Sequence, residues 1–293
     1  MRIAVTGAAG FVGAAVVAGA RARGWEVHPL TRLSWDLAAG PLTDPPPVDA
    51  VVHAAAAVTD GGDPRPVWAA NLHGTRHVVA SFPGVRLVHL STSSVYDPFV
   101  PTVRAREPEA PVGRYRTPYE ASKAAAERLL AGRPETVVLR PHAVYGPGDR
   151  TLLPRVLGAV RGRGLVVAGD GRCAHTLTSV GNLVDAVLRG CDPGAPPGTY
   201  NVGDAAPVTL DAALAALLAE RGLDVTVRHL PLRVAWPLAA VLDELAAVLP
   251  MRPRLTRYAV GHLGLERTLD LTAARTRLGL DPAPTSFAGA ADW

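Results

Sequence analysis

The segment "VTGAAGFVG" (residues 5–13) constrains this chain more than any other. It places Gly7, Gly10 and Gly13 directly after the β-like run "RIAVTG". It also opens an apolar, small-residue segment, 11–23, that reads as a helix stopped by Gly24. Each glycine has a physical use. Gly7 permits a tight turn, Gly10 a close approach of backbone to a ligand, and Gly13 close packing of helix on strand. The helix start offers free N–H groups, those of Phe11 and Val12 among them, and the positive end of its dipole to a phosphate. The spacing is GxxGxxG, and glycine-rich turns also occur for packing alone. The strand–turn–helix context favours a pyrophosphate ligand.

The alternation continues down the first half. Residues 25–30, 48–54, 85–91 and 136–141 read as strands, and 65–82 and 115–131 as helices. Strands alternating with helices predict an α/β fold, a Rossmann-type doubly wound parallel sheet. The segment "LAAGPLTDPPPV" (37–48) is too rich in proline for a full helix, so one crossover is expected to be a loop. After Pro141 the pattern loosens, with helices near 181–190, 209–221 and 234–249 between Gly/Pro-rich loops. This part predicts a smaller C-terminal substrate lobe. The expected division is 1–143 with 175–198 for the dinucleotide-binding domain, and 144–174 with 199–293 for the lobe. The cleft between them, at the carboxyl ends of the strands, is the expected site.

Composition excludes several other functions. The net charge is +4, but the arginines are scattered and no basic run interleaves with aromatics, so nucleic acid is not an expected partner. The two cysteines, Cys173 and Cys191, lack CxxC spacing, which argues against a zinc site or disulfide framework and fits a reducing cytoplasm. No metal site is expected. The first 23 residues carry a basic residue and an apolar run, as secretory signals do. Glycines at 7, 10 and 13 would weaken such a helix, and the phosphate loop explains them better. The expectation is a cytoplasmic protein with no membrane partner, a small-molecule substrate and room for a homodimer.

The second strand carries information about the nucleotide. An acidic residue at its end would hold the ribose 2′-hydroxyl of NAD. Here it ends in Thr31 and Arg32, and Arg32 can pair with the 2′-phosphate of NADP. A surface arginine is the plain alternative, but the reading favours NADP(H) over NAD(H). Asp36 and Leu37, in "WDL", are expected at the next strand end beside the adenine. A turn-starting aspartate is the alternative for Asp36.

Lys123 is the only lysine; the remainder of the 30 basic residues are arginine. It stands four residues after Tyr119 in "TPYEASKAAAERLL", so the two share a helix face. A free tyrosine has a pKa near 10. A nearby ammonium stabilises its phenolate, and the tuned hydroxyl can exchange a proton with a carbonyl or alcohol oxygen. Lysine's compact head can also bond ribose hydroxyls, where a planar guanidinium fits poorly. Upstream, "VRLVHLSTSSVYD" ends a strand in four hydroxyl residues, Ser91 to Ser94. One of them can hydrogen-bond the substrate oxygen, although such a group also satisfies loop backbone.

Taken together these motifs resemble the extended short-chain dehydrogenase/reductase superfamily, the NAD(P)-dependent epimerase/dehydratase group. The resemblance spans nearly the whole chain. "TGAAGFVG" is similar to its cofactor loop and "VVHAAA", with Ala54, Ala55 and Ala56, to its strand beside the adenine ribose. "NLHGT" resembles its central-helix motif, "STSSVY" its catalytic hydroxyl segment and "YEASK" its active-site pair. "LRPHAVYGPGD", with Pro141, resembles its strand into the substrate lobe. The resemblance implies Thr92, Tyr119 and Lys123 as catalytic residues, and Asn71 as an anchor for water or backbone near Lys123. It implies a site lined by Ser93, His142, Val144 and His175; for His142 an ordinary loop histidine is the alternative.

Nucleotide-sugar members of that group usually carry Asn where this chain has Ala143, and Arg where it has His175. Sugar dehydratases use an Asp-Glu pair where Ser93 and Ser94 stand. The segments "RPRLTRY" and "RTLDLTAARTRLGLDP" instead resemble the 3β-hydroxysteroid dehydrogenase and ketoacid reductase branch, whose substrates are often apolar. Gly181 replaces that branch's usual Asp, which leaves the capping of its helix open. The implied function is an NAD(P)-dependent oxidoreductase interconverting a secondary alcohol and a ketone on a non-nucleotide, fairly apolar substrate. Two alternatives remain at this level: a nucleotide-sugar 4-epimerase or 4-ketoreductase, and a non-catalytic NADP-binding sensor.

Overall fold

The computed structural model describes residues 1–58, 63–248 and 255–293. At its centre is a six-stranded sheet, parallel throughout. Strand β1 (Arg2–Thr6) lies between β2 (Glu26–Leu30), at one edge, and β3 (Ala50–His53). Strand β4 (Arg86–Leu90) follows β3, then the strands Thr136–Pro141 and Gly198–Val202 complete the sheet. The chain leaves β1 toward β2 and returns to β3 on the other side, so the crevice opens beyond the ends of β1 and β3.

Burial on both faces explains why these strands read as continuous apolar runs. Ile3 and Val5 point into one core with Val52, Val88, Val137 and Leu139. That core is closed by α1 (Phe11–Ala22) and the helix Val180–Cys191. Ala4, Val51 and Leu87, one residue out of phase, point into the other core with Val78 of the helix Gly74–Ser81, Phe82 just after it and Leu130 of the helix Pro118–Leu130. Helix α1 buries Gly13, Val16, Val17 and Ala20, one face at helical spacing.

Several boundaries differ from the sequence expectation. The helix expected over 115–131 starts at Pro118. Thr117 accepts from the Glu120 amide while the Glu120 carboxylate accepts from the Thr117 amide, a capping box that fixes the start. Residues 31–49 contain turns but no helix or strand. Asp36 therefore does not end a strand; its carboxylate accepts from the Ala38 amide and opens a turn. The boundary at 198/199 is also corrected. Gly198–Val202 pairs along its whole length with Thr136–Pro141, so it belongs to the central sheet.

The lobe is built on a sheet of four short strands, ordered Val208–Thr209, Ala174–His175, Arg267–Leu269 and Thr102–Ala105. The last of these comes from the first half of the chain, which ties the lobe to the central sheet. The helix near 234–249 runs Leu232–Val248, and Leu249 lies outside the described residues, as do Arg252 to Arg254 of "RPRLTRY". Ser179 caps the helix Val180–Cys191 by accepting from the Asn182 amide. The buried Asp204 carboxylate accepts from the Ser179 amide and the Asn182 side chain. Both act outside the helix, which explains how Gly181 is tolerated in its first turn.

Candidate active site

The glycine loop is shaped by contacts that a side chain would break. Gly7 has φ +67°, and a Cβ there would stand 2.8 Å from the backbone of Ala55. A Cβ on Gly13 would stand 2.1 Å from the Gly7 carbonyl. Gly13 therefore lets the helix close on the turn itself, rather than on the body of the strand. Gly10 is the N-cap of α1 and gives it no side-chain cap. The helices starting at Pro118, Val180, Leu210 and Arg257 are capped by Thr117, Ser179, Thr209 and Thr256. The first-turn amides of Phe11, Val12 and Gly13 thus meet no side-chain acceptor from the cap. Their open donors beside a glycine turn fit a dinucleotide pyrophosphate. Arg32 lies exposed in the turn after β2, without a hydrogen bond or ion pair among the described residues. Leu37 is half-buried, and its carbonyl accepts from His77 Nδ1 at 2.6 Å.

A buried histidine, which the sequence reading missed, ties the loop to the rest of the site. His53 Nδ1 lies 2.8 Å from Thr6 Oγ1, and its Nε2 lies 3.0 Å from Thr75 Oγ1. The Thr75 hydroxyl donates to the Asn71 carbonyl, so it can only accept from His53. Thr6 Oγ1 accepts from the Ala55 amide and is free to donate to Nδ1. His53 is therefore the neutral Nε2–H tautomer. Burial, then the Lys123 ammonium, lowers its pKa to about 3. This chain of bonds joins the ends of β1 and β3, where Ala54 and Ala55 are half-buried and Ala56 is exposed. It continues into a π-helical turn, Ala69–His73, that holds Asn71. The Asn71 side chain binds both the amide and the carbonyl of Ala57, at 2.8 and 3.0 Å, and donates to Ser122 Oγ at 2.9 Å.

Ser122 sits on the helix Pro118–Leu130 beside Lys123. Lys123 is 3% exposed, and its Nζ donates to the Leu90 carbonyl at 2.6 Å. Burial lowers its pKa to about 8, against the opposing pull of Glu127. Tyr119 is half-buried one turn earlier on the same face. The helix packs against the turn Ser93–Val95, which Thr92 caps by accepting from the Ser94 amide at 3.1 Å. Thr92, Tyr119 and Lys123 thus come together where β4 ends. One turn beyond Lys123, Glu127 forms a two-bond pair with Arg140 at 2.6 and 3.0 Å and accepts from Ser91. Arg140 also donates to the carbonyls of Glu107 and Ala110, at 2.8 and 2.9 Å. This buried network fixes the helix to the next strand. Its only sequence signal was an arginine inside the apolar run "TVVLRP".

Past Pro141, His142 closes the site from the lobe side. Its Nδ1 lies 2.8 Å from Ser93 Oγ, and its ring stacks near His175 and His262, with centroids 6.2 and 6.0 Å away. Ser93, Ser94, His142, Glu120, His262 and Arg267 line a small cavity. His175 and Val144 do not. His175 is buried behind His142 in the lobe sheet, and Val144 pairs with Thr178 and packs on the main core. Glu120 and His262 carried no sequence motif that marked them as lining residues.

A doubly wound sheet with an open phosphate loop at its switch point, and a Tyr–Lys pair beside a threonine at a neighbouring strand end, defines a dinucleotide-dependent oxidoreductase. Residues 3–203 match the NAD dependent epimerase/dehydratase family, and the chain belongs to it. It is an NAD(P)-dependent oxidoreductase of the extended short-chain dehydrogenase/reductase type. A 2-alkyl-3-oxoalkanoate reductase of Stenotrophomonas maltophilia is 31% identical, over 96% of this chain and 95% of that protein. A 4-hydroxy-2-methyl-3-oxo-4-farnesyl-3,4-dihydroquinoline-1-oxide ketoreductase of Stigmatella aurantiaca is 30% identical, over 95% and 91%. Among solved structures, a short-chain dehydrogenase/reductase superfamily protein of Agrobacterium tumefaciens with bound NAD superposes with a TM-score of 0.71, at 22% identity over 97% of this chain and 93% of that one. RMD of Pseudomonas aeruginosa, complexed with NADPH, gives 0.69 at 22% identity over 97% and 94%. These two likenesses show the fold. No helix among the described residues is long and apolar enough to cross a membrane.

Proposed function

We propose that this protein is an NADP(H)-preferring ketone reductase acting on a fairly apolar, non-nucleotide 3-oxo compound. The observation that carries the chemistry is the buried Lys123 ammonium, one turn from Tyr119 and pinned to the end of the strand that leads into Thr92. The reduced nicotinamide, when bound, supplies the hydride. Tyr119 Oη gives its proton to the carbonyl oxygen, and the Lys123 ammonium stabilises the phenolate left behind. Thr92 Oγ1 donates to the same oxygen and holds the carbonyl in place. Phe11 and Val12 present main-chain donors to the pyrophosphate, while Gly10, whose amide donates to the Gly7 carbonyl at 2.9 Å, leaves room for its close approach.

Arg32 supports the NADP(H) preference, because it stands exposed after β2 with its guanidinium uncommitted. The substrate class rests on the two relatives above, both reductases of 3-oxo compounds with apolar substituents. It also rests on Ala143 and the buried His175, which stand where nucleotide-sugar members place Asn and Arg. We place the enzyme in a reducing cytoplasm, which its two free cysteines suit. The test is NADPH oxidation by the purified protein with 3-oxo esters, steroid ketones and a dTDP-4-ketosugar. Turnover should appear with the first class. It should fall by about 10²–10⁴ in Tyr119→Phe, the usual worth of a positioned acid–base group. Turnover confined to the ketosugar would replace the substrate reading. A fully active Tyr119→Phe would overturn the mechanism.

A further inference from the structure

A carbonyl oxygen has two lone pairs. In the site above, Tyr119 and Thr92 take both. Ser93, the next residue after Thr92, nevertheless places a second hydroxyl on the wall of the adjoining cavity, and it does so over a dedicated partner. His142 Nδ1 lies 2.8 Å from Ser93 Oγ, and both side chains are buried.

The histidine is held firmly. Its main-chain amide donates to Thr178 Oγ1 at 3.0 Å, and that hydroxyl donates to the Val202 carbonyl at 2.9 Å, so the backbone is tied to the edge strand of the central sheet. Its ring lies within 8° of parallel to His175 and 18° of parallel to His262, which restrains rotation about the side chain. Burial, with the nearby His262, His175 and Arg267, keeps the imidazole neutral by holding its pKa well below the usual histidine range. A neutral imidazole has one N–H, and its placement decides what Ser93 can do. With the proton on Nδ1, His142 donates to Ser93 Oγ and leaves the serine hydrogen to point into the site.

We propose that Ser93, oriented by His142, is a specificity-determining donor for a second substrate oxygen beside the reacting ketone, the carboxyl or carbonyl oxygen of a 3-oxo acid, ester or amide. The reacting oxygen is saturated by Tyr119 and Thr92, so a donor on the adjacent residue serves a different acceptor. Two neighbouring donors set for two oxygens match a 1,3-dicarbonyl and leave one donor unused on an isolated ketone. The inference rests on the ketone-reductase reading and adds the residues that select within it. Here His142 is a positioning residue that acts through Ser93.

The experiment compares a 3-oxo ester with the methyl ketone of the same chain length, each reduced with NADPH. The readout is the ratio of their kcat/KM values. The wild-type ratio should favour the 3-oxo ester by about tenfold, the worth of one net hydrogen bond. Ser93→Ala should bring the ratio close to one. His142→Phe, which has no donor, should do the same, while His142→Asn, whose side-chain amide can replace the Nδ1–H, should restore the preference. A Ser93→Ala enzyme that keeps the wild-type ratio overturns the inference and leaves the ketone-reductase reading intact. So does a His142→Phe enzyme as selective as His142→Asn. If the wild-type protein reduces neither compound, the reading itself fails and the inference with it.

Discussion

The ammonium of Lys123 donates to the main-chain carbonyl of Leu90 at 2.6 Å, so the only lysine of the chain pins the Tyr119 helix to the last residue of β4. Thr92 follows two residues later. One bond therefore ties the helix that carries Tyr119 to the strand that leads into Thr92, the two residues proposed to share the substrate oxygen. The space is tight, since Lys123 is 3% exposed and Ser122 beside it is bonded to Asn71. An ammonium fits there as a compact, three-donor head. A guanidinium is planar and larger, which explains why arginine did not take this position in a chain that uses it everywhere else.

Lys123→Arg should retain charge but weaken NADPH binding and slow hydride transfer, and Lys123→Ala should lose more of both. Fluorescence titration and single-turnover NADPH oxidation separate the two effects. An arginine variant with wild-type affinity and rate would make the lysine a compositional accident.

The same burial sets a pH dependence. The Lys123 pKa is drawn down to about 8, so the ammonium is charged below pH 8 and discharges as pH rises through it. NADPH affinity of the cofactor-free protein should fall across that interval, and Lys123→Ala should flatten the profile. Stability moves the other way. The folded state holds its proton less tightly than the unfolded state, so this group's contribution rises with pH between about 8 and its ordinary value of 10.5. An affinity that stays level from pH 7 to 9.5 would contradict the assignment.

Arg32→Ala should reduce the preference for NADPH over NADH, because a charge-assisted pair with the 2′-phosphate would be lost while the pyrophosphate amides stay in place. Dissociation constants for both reduced cofactors check this. Unchanged selectivity in Arg32→Ala, or tighter NADH binding by the wild type, would reassign Arg32 to the plain surface.

Binding of UDP or dTDP alone should be weak, at millimolar levels or beyond detection by calorimetry. His175, which stands where sugar-nucleotide members carry arginine, is buried behind His142 with its pKa lowered to about 4, so it offers no cation to a diphosphate at neutral pH. Micromolar binding of either nucleotide would promote the epimerase reading.

What the sequence revealed and what it hid follow a physical division. Gly7, Gly13, Tyr119 and Lys123 were legible because each answers a local demand: a positive φ, a close approach, one helical turn of spacing. The capping box Thr117–Glu120, also local, was not read, and the helix expected over 115–131 starts at Pro118. Asp36 was misplaced because residues 31–49 form turns and no strand, and nothing local announces a missing strand. His53, Glu127 and Arg140 were not marked because their partners lie far along the chain, and only the closed sheet brings them together. The fate of Val144 and His175 shows the same limit. Adjacency in a motif put them beside the site, but Val144 packs on the main core and His175 stacks behind His142.

His53 and His89 face each other across β3 and β4, with ring centroids 5.2 Å apart. His53 is bonded at both nitrogens, but neither nitrogen of His89 has a hydrogen-bond partner among the described residues. Burial first, then the Lys123 ammonium, then His53 holds the His89 pKa well below 6.5. The folded protein therefore keeps both rings neutral, while the unfolded chain takes up protons as pH drops below 6.5. The sign is destabilising toward acid, by about 1.4 kcal/mol per pH unit for each such histidine until its folded pKa is reached. His89→Leu removes one of these groups, along with two unsatisfied buried nitrogens that are costly in themselves. Its melting temperature should match or exceed the wild type at pH 7 and fall less on going to pH 5. His53→Leu should instead melt lower at pH 7, because Thr6 and Thr75 lose their shared partner, and should weaken cofactor binding through the Ala55 loop. Thermal melts at the two pH values decide the matter. A His89→Leu protein with the wild-type drop between pH 7 and pH 5 would show that this ring does not contribute to the acid sensitivity of the fold.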